Sequence, residues 1–255
     1  MNDKKSASSI EKALQLLNCF SEKRFQMTAE DLVKTTGIPK SSVFRMLTTL
    51  EEYNYIKRTK TAHKTWYSLG FSFFEKGMMV HRQFNIKDYA RSRMIELRNE
   101  WNLNIQLAIQ DGHDALYIEQ VPSWRPIQLY PAIGRRAPLY AASCPRTLLA
   151  YMEESERKAI LNQAKWKKFT SATPANIEET ENAIQQIIKT GYSISRGELI
   201  EGTIGIAVPI FEPVTNEIWA ALSIVGLDKD FEKDTFYYIN VLKETAKEIQ
   251  NSIKT

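Results

Sequence analysis

An α+β fold in two parts is what this 255-residue sequence predicts, on three observations. Residues 28–54 carry two amphipathic helical patterns that meet in the stretch "TTGIP". Two β-rich runs with a basic tip follow directly. Beyond residue 85, helical patterns and apolar β-rich runs lead to a long closing helix. A chain of this length also tends to divide its hydrophobic core, so two units are expected on size alone.

The first helical pattern is "SSIEKALQLLNCF", with apolar residues at 10, 13, 14, 17 and 20 on one face. Ser8 lies three residues before Glu11, the spacing of a capping box. After "KRFQM", Thr28 is placed to cap "AEDLVKTTG", with Asp31 at the third helical position and Gly37 as the stop. Pro39 suits the first turn of a third helix, where a missing N–H costs nothing. That helix, "IPKSSVFRMLTTL", repeats Val43, Met46, Leu47 and Leu50 at i, i+3, i+4 and i+7 and ends around Glu52–Asn54. Helix, short Gly-containing turn and helix make the helix-turn-helix outline. "YIKRT" and "TWYSLG", flanking "KTAHK", add a hairpin and make it a winged version, residues 1–69.

Residues 70–84 form a connecting helix, with Phe71, Phe74, Met78 and His81 along one side. The second part, residues 85–255, opens on a helix with Ile86, Tyr89, Ala90, Met94, Leu97 and Trp101 available for burial. "LNIQLAIQDGHDALYIEQV" reads as two strands turning at Asp111-Gly112. "RPIQLYPAIGRRAPLY" predicts another strand and a long exposed loop, with Arg135 and Arg136 solvated. "PRTLLAYM", "SERKAILNQA" and "NIEETENAIQQIIKTG" are helical, the last stopped at Gly191. Three strands, "YSISRGEL", "TIGIAVPIF" and "IWAALSIVG", precede the closing helix "TFYYINVLKETAKEIQNSI".

Composition narrows the function classes. With 43% apolar and 25% charged residues the chain falls in the soluble globular range. No run approaches the roughly 18 apolar residues of a membrane span, and "MNDKKSASS" is not followed by the apolar core of a secretory signal. A cytoplasmic protein without a membrane partner is expected. Cys19 and Cys144 are too few for a disulfide framework, and His63, His81 and His113 are scattered, so neither metal nor cofactor is expected. Residues 1–83 hold fourteen Lys/Arg against eight Asp/Glu, a balance of +6; the remainder holds twenty against twenty-two, a balance of −2. A basic first third on a near-neutral remainder points to a polyanion-binding module attached to something else.

Five stretches in this order resemble the IclR family of bacterial transcription regulators. They are "SSIEKALQLLNCF", "LVKTTGIPKSSVFRMLTTLEEYNYI", "YSLGFSFFEKG", "RRAPLYAASCPRTLLAYM" and "GYSISRGELIEGTIGIAVPIFEPVTNEIWAALSIVG". The resemblance implies a C-terminal GAF-like effector domain with a curved antiparallel sheet flanked by helices. It implies a regulator, more in the manner of a repressor, of a catabolic operon. Two positions depart from the family pattern. "AASCPRT" stands where small residues and a Gly-Lys pair are common, and Gly205 stands where a cysteine is frequent. Both belong to the family's effector pocket, so the resemblance implies a pocket and leaves its ligand open.

In a winged helix-turn-helix the third helix enters the major groove of double-stranded DNA. Ser41, Ser42, Arg45 and Thr48 are its candidate readers, with Arg45 suited to a bidentate guanine contact. Lys40 and the wing-tip residues Lys60, His63 and Lys64 are candidates for the phosphate backbone. The competing reading is a solvated face with Arg45 paired to Glu51, Glu52 or Asp31. By alignment to the family, Ser143, Cys144, Thr203, Gly205, Ser223 and Val225 line the effector site. Backbone N–H groups at a helix start and the hydroxyls of Ser143, Thr203 and Ser223 suit a small organic acid. Cys144 reads as a pocket or packing residue rather than a nucleophile, and Glu198 and Glu201 as solvated acids. Operators are read by two-fold dimers, so a homodimer, or a tetramer built as a dimer of dimers, is expected. Its surface is either the apolar face of the first helix with the connector, or lies elsewhere if those residues pack within their own domain. The rival function is an enzyme acting on a small carboxylic acid with an appended winged-helix interaction module. Against it, no convincing acid/base pair is evident in the second half.

Overall fold

The protein is described by a computed structural model covering residues 8–21, 23–81, 86–125 and 133–253. Its contacts divide the chain into two compact units, residues 1–84 and 85–255.

The first unit contains α1 (Ser9–Leu17), α2 (Ala29–Thr36), α3 (Lys40–Glu52), β1 (Ile56–Lys60), β2 (Thr65–Leu69) and α4 (Ser72–His81). Both expected capping boxes form. Ser8 Oγ accepts the Glu11 N–H at 3.1 Å while the Glu11 carboxylate accepts the Ser8 N–H. Thr28 Oγ1 accepts the Asp31 N–H at 3.2 Å, and the Asp31 carboxylate accepts the Thr28 N–H at 3.0 Å. Helix α2 stops at Gly37 in a left-handed conformation. Pro39 stands just outside α3 rather than in its first turn. Its backbone is extended, at ψ 137°, and its carbonyl accepts the Val43 N–H that begins the helix.

The core of this unit gathers Leu16, Phe20, Met27, Ala29, Leu32, Ile38, Val43, Leu47, Ile56 and Tyr67, with Met46 and Leu50 half-buried against it. Strands β1 and β2 pair antiparallel from Ile56↔Leu69 to Lys60↔Thr65. Met27 and Tyr67 exchange both backbone hydrogen bonds, at 2.9 and 2.8 Å, which fastens the hairpin to the helical body. Phe71, just before α4, and Phe74 and Met78 along it are exposed apolar residues. Residues 82–85 of the predicted connector and the side chain of His81 lie outside the described set.

The second unit opens with α5 (Ile86–Trp101) and strands β3 (Asn104–Asp111), β4 (Asp114–Val121) and β5 (Arg136–Pro138). Helices α6 (Ser143–Ala150), α7 (Glu154–Gln163) and α8 (Ile177–Thr190) follow. Strands β6 (Ser193–Arg196), β7 (Thr203–Phe211) and β8 (Ile218–Leu227) then lead to α9 (Thr235–Ile253). The six strands form one antiparallel sheet in the order β5-β4-β3-β8-β7-β6.

Of the α5 positions expected inside, Tyr89 is exposed while Ile86, Ala90, Met94, Leu97 and Trp101 are buried. Tyr89 falls about 100° around the helix from the centre of that stripe. The β3–β4 turn consists of Gly112 and His113, not Asp111-Gly112, because Asp111 still pairs with Asp114. Gly112 has φ 62°, the conformation a II′ hairpin requires at its first central position. The strand and loop expected across 126–132 lie outside the described residues.

Side chains alternate across the sheet, and the two faces differ in kind. Ile105, Leu107, Leu222, Ile224, Ile206 and Val208 form one face, all buried. Gln106, Ala108, Ala221, Ser223, Gly205 and Ala207 form the other, where α6 packs with Cys144 and Leu148. A face of small and polar residues leaves room, and hydrogen-bonding capacity, beneath the start of α6.

Candidate nucleic-acid interface and effector pocket

Two buried residues set the exposed face of α3. Val43 and Leu47 point inward, so at about 100° per residue Ser41, Arg45 and Thr48 centre on the opposite side, and all three are exposed. Ser42 is half-buried and turns toward α1, lining a groove with Ile10, Leu14, Arg45 and Thr49. Among the described residues Arg45 makes no ion pair; Glu51 instead accepts from Arg58 Nε at 3.0 Å. The competing reading, Arg45 held by a neighbouring acid, is therefore not realised here. Lys40 does have a partner: its Nζ lies 3.0 Å from Glu30 and holds that carboxyl below the usual range. The same ammonium sits 5.7 Å from the centre of the Phe44 ring. Phe44 is 40% exposed beside this face. Its position off the i, i+3, i+4, i+7 stripe was the signal for it.

Lys60, His63 and Lys64 are exposed on the hairpin. Thr61 closes the tip by donating to the Lys64 carbonyl at 3.0 Å and accepting its N–H at 3.2 Å. Lys64 Nζ is held 5.7 Å from the Trp66 ring centre. Between α3 and this wing runs a polar groove of about 680 Å³ that includes Thr28, Phe44, Thr48, Arg58, His63 and Lys64. A larger groove of about 820 Å³, lined by Ile10, Leu14, Leu17, Met46, Leu50 and Phe73, crosses from α1 to α4.

In the second unit, five of the six expected effector residues line one small cavity: Ser143, Cys144, Thr203, Gly205 and Val225. Ser223 is fully buried in the neighbouring cross-strand row. Its Oγ makes no hydrogen bond among the described residues, although it lies close enough to bear on the Cys144 thiol. The cavity measures about 30 Å³, room for about two waters. Gly205 is crowded: a Cβ there would stand 2.6 Å from Ser143 Oγ and 2.9 Å from Ser195 Oγ, so those side chains would have to shift. Thr203 already donates its hydroxyl to the Ile200 carbonyl at 2.6 Å, which leaves it an acceptor. Burial pushes the Cys144 thiol up to about 12, so it is protonated at neutral pH and inert as a nucleophile.

Sequence reasoning missed the strongest polar feature of this site. Glu198 is not solvated: it is 8% exposed and accepts from both terminal nitrogens of Arg146, itself 4% exposed, at 2.7 Å each. It also accepts the Ala142 N–H at 2.9 Å, and Arg146 Nη2 reaches the Ile194 carbonyl at 3.2 Å. Ala142 stands at φ 72° and ψ 166° immediately before α6, whose N-terminus has no side-chain cap. That backbone region is close to glycine-only. Arg136 is exposed as expected, and at the sheet edge it also pairs with Asp111. No local pattern pointed to Arg146 and Glu198, which meet only through the fold. Gln106, also on the cavity wall, was visible only as the polar member of an apolar strand.

A helix-turn-helix with a basic wing, followed by a separate sheet unit with a small polar cavity, defines a DNA-binding regulator of the ligand-responsive kind. The profile for the IclR helix-turn-helix domain matches residues 9–60, and that for the bacterial transcriptional regulator IclR C-terminal domain matches residues 78–251. The chain is 34% identical over 245 residues to the HTH-type transcriptional regulator KipR of Bacillus subtilis, spanning 96% of each. It is 32% identical over 219 residues to the HTH-type transcriptional regulator XynR of Escherichia coli, spanning 86% of each. Its fold matches that of the Thermotoga maritima IclR at a TM-score of 0.77, with 26% identity over 97% of this chain and 99% of the other. An IclR homolog from Microbacterium hydrocarbonoxydans, solved in complex with 4-hydroxybenzoate, shares the fold at 0.83 with 20% identity, over 97% of this chain and 99% of that one. The chain belongs to the IclR family of bacterial transcriptional regulators. It is a regulator rather than an enzyme, and no described helix is long and apolar enough to cross a membrane.

Proposed function

We propose that the chain represses a catabolic operon by binding its operator as a homodimer and releasing it when a small organic acid occupies the second unit. The observation that carries this reading is the α3 face, where Ser41, Arg45 and Thr48 stand exposed opposite the buried Val43 and Leu47, with Arg45 unpaired among the described residues. In this reading Arg45 pairs with guanine, Ser41, Ser42 and Thr48 contact base edges or adjacent phosphates, and Lys60, His63 and Lys64 follow the backbone from the wing. Lys40 joins them by exchanging Glu30 for a phosphate. Residues 1–69 act as the DNA-binding domain, 70–84 as the connecting helix and 85–255 as the effector domain, working in the cytoplasm.

The exposed Ile10 and Leu14 of α1, beside Phe73 of α4, support dimer contact through this face. A dimer of dimers extends the same arrangement to a tetramer. For the effector, the start of α6, which its own N-cap residue leaves uncapped, and the hydroxyl of Ser143 favour a carboxylate. The 4-hydroxybenzoate bound by the Microbacterium hydrocarbonoxydans homolog is an acid of this class. A cavity of about 30 Å³ is smaller than any such acid, so binding displaces the Glu198-bearing turn. That movement supplies the two states a ligand must discriminate. The test is a titration of short aliphatic and aromatic carboxylic acids against the complex with DNA from the chain's own upstream region, followed by fluorescence anisotropy. Release by at least one acid, at concentrations that leave the melting of the chain cooperative, is expected. Insensitivity to every acid removes the effector assignment.

A further inference from the structure

Of the exposed residues of α3, Lys40, Ser41, Arg45, Thr48, Thr49 and Glu52 are polar or charged, and Phe44 alone is apolar. At about 100° per residue Phe44 stands on the wing side of the face centred on Ser41, Arg45 and Thr48. There it lines the groove that Thr48 shares with His63 and Lys64 of the hairpin. The Lys40 ammonium lies 5.7 Å from the centre of its ring, and 40% of the residue is left uncovered by the fold. An aromatic hydrocarbon thus sits between the candidate base reader Arg45 and the candidate phosphate contacts of the wing.

What such a ring can touch there follows from the chemistry of the major groove. Guanine, adenine and cytosine present only hydrogen-bond donors and acceptors on that side, whereas thymine adds an apolar group, its C5-methyl. Against a purine or cytosine edge the ring displaces water from polar groups and returns no hydrogen bond, which is unfavourable. Against thymine it covers a methyl, and apolar surface leaves water on both sides of the contact. Lys40, held beside the ring, is suited to a neighbouring phosphate, a contact that fixes register without reading sequence.

We infer that Phe44 is a specificity-determining residue that reads a thymine in the operator through its C5-methyl. This rests on the reading of α3 as the helix that enters the major groove. The ring accepts thymine and disfavours the other bases at its position, so each half-site carries a required thymine besides the base that Arg45 pairs with. The contact is made by apolar surface alone and owes nothing to hydrogen bonding.

The test uses DNA from the chain's own upstream region, prepared once with thymine and once with uracil, which keeps the base pairing and lacks the methyl. Fluorescence anisotropy with the full chain gives the ratio of the two affinities. The wild type binds the thymine DNA about fourfold more tightly per half-site, the worth of one buried methyl, and about fifteenfold where a dimer reads two. Phe44→Ala brings the ratio close to one, and so does Phe44→Gln, which keeps a long side chain compatible with the helix. Because the ratio compares two DNAs on one protein preparation, a variant that folds less well lowers both affinities and leaves the ratio alone. Thr48→Ser, which removes that residue's methyl and keeps its hydroxyl, retains the wild-type ratio. Equal affinity of the wild type for both DNAs, a preference that survives both Phe44 variants, or one lost in Thr48→Ser instead, overturns the inference while the role of Arg45 stands. If the wild type does not distinguish its upstream DNA from unrelated DNA, the α3 reading fails and takes this inference with it.

Discussion

Replacing Glu198 by glutamine keeps the side chain's shape and removes its charge from a pair that water scarcely reaches. Both groups are at most 8% exposed, and the two contacts of 2.7 Å are supplemented by the Ala142 N–H. Exposed ion pairs contribute about 0–1 kcal/mol, but removing one member of a buried pair strands the other, at a cost of about 3–5 kcal/mol. The amide still accepts from Ala142, which places Glu198→Gln near the lower end, about 3 kcal/mol. Urea unfolding followed by tryptophan fluorescence suits the question. Trp101, Trp124, Trp166 and Trp219 lie in the second unit and Trp66 alone in the first. With a slope of ~2 kcal/mol per molar urea, the midpoint of the second unit falls by about 1.5 M. The double replacement Arg146→Met with Glu198→Leu recovers most of that loss, because no charge is left unpaired. A fall under about 0.3 M for the single variant, or a double variant no better than the single, would refute the reasoning.

Three further outcomes follow from neighbouring geometry. Ala142→Gly relieves the positive φ before α6 and raises stability by about 1 kcal/mol, read as a higher urea midpoint at unchanged slope. Gly205→Ala drives a methyl toward Ser143 Oγ and Ser195 Oγ and costs about 1 kcal/mol or more; adding Ser143→Ala restores part of it in the same assay, and full tolerance of the single change would show the crowding is absent. In the first unit, Thr28→Ala removes the α2 cap for about 1 kcal/mol by thermal melting. Hydrogen bonds from Thr28 lower the Asp31 carboxyl in the folded state. The stability this adds is complete above the ordinary value of 3.8 and is lost as pH falls through the lower folded value. The variant's loss therefore shrinks in acid.

What could be read directly from the chain was whatever depends on near neighbours. Thr28 with Asp31, Gly37, and the repeat of Val43, Leu47 and Leu50 are encoded within a few residues, and they led to the helix-turn-helix without tertiary information. The β3–β4 turn was displaced by one residue because the pairing of Asp111 with Asp114 decides where a hairpin stops. Glu198 was misread because its partner Arg146 lies 52 residues away, and a lone acid after a Gly looks solvated. Gln106, Ser223 and Ser193 become a row only once β3, β8, β7 and β6 are in register. Family likeness supplied the pocket's location, while its polar pairing came from the fold.

The most direct measurement is the affinity of the full chain for DNA from its own upstream region across a salt series, by fluorescence anisotropy, for the wild type and Arg45→Ala. The expected result is specific binding whose log K falls linearly with log salt. Arg45→Ala should lose about 1–3 kcal/mol and its preference at one base position, with a salt slope close to the wild type's. Equal affinity for unrelated DNA, or an Arg45→Ala variant that binds and discriminates as the wild type does, would contradict recognition through the exposed face of α3.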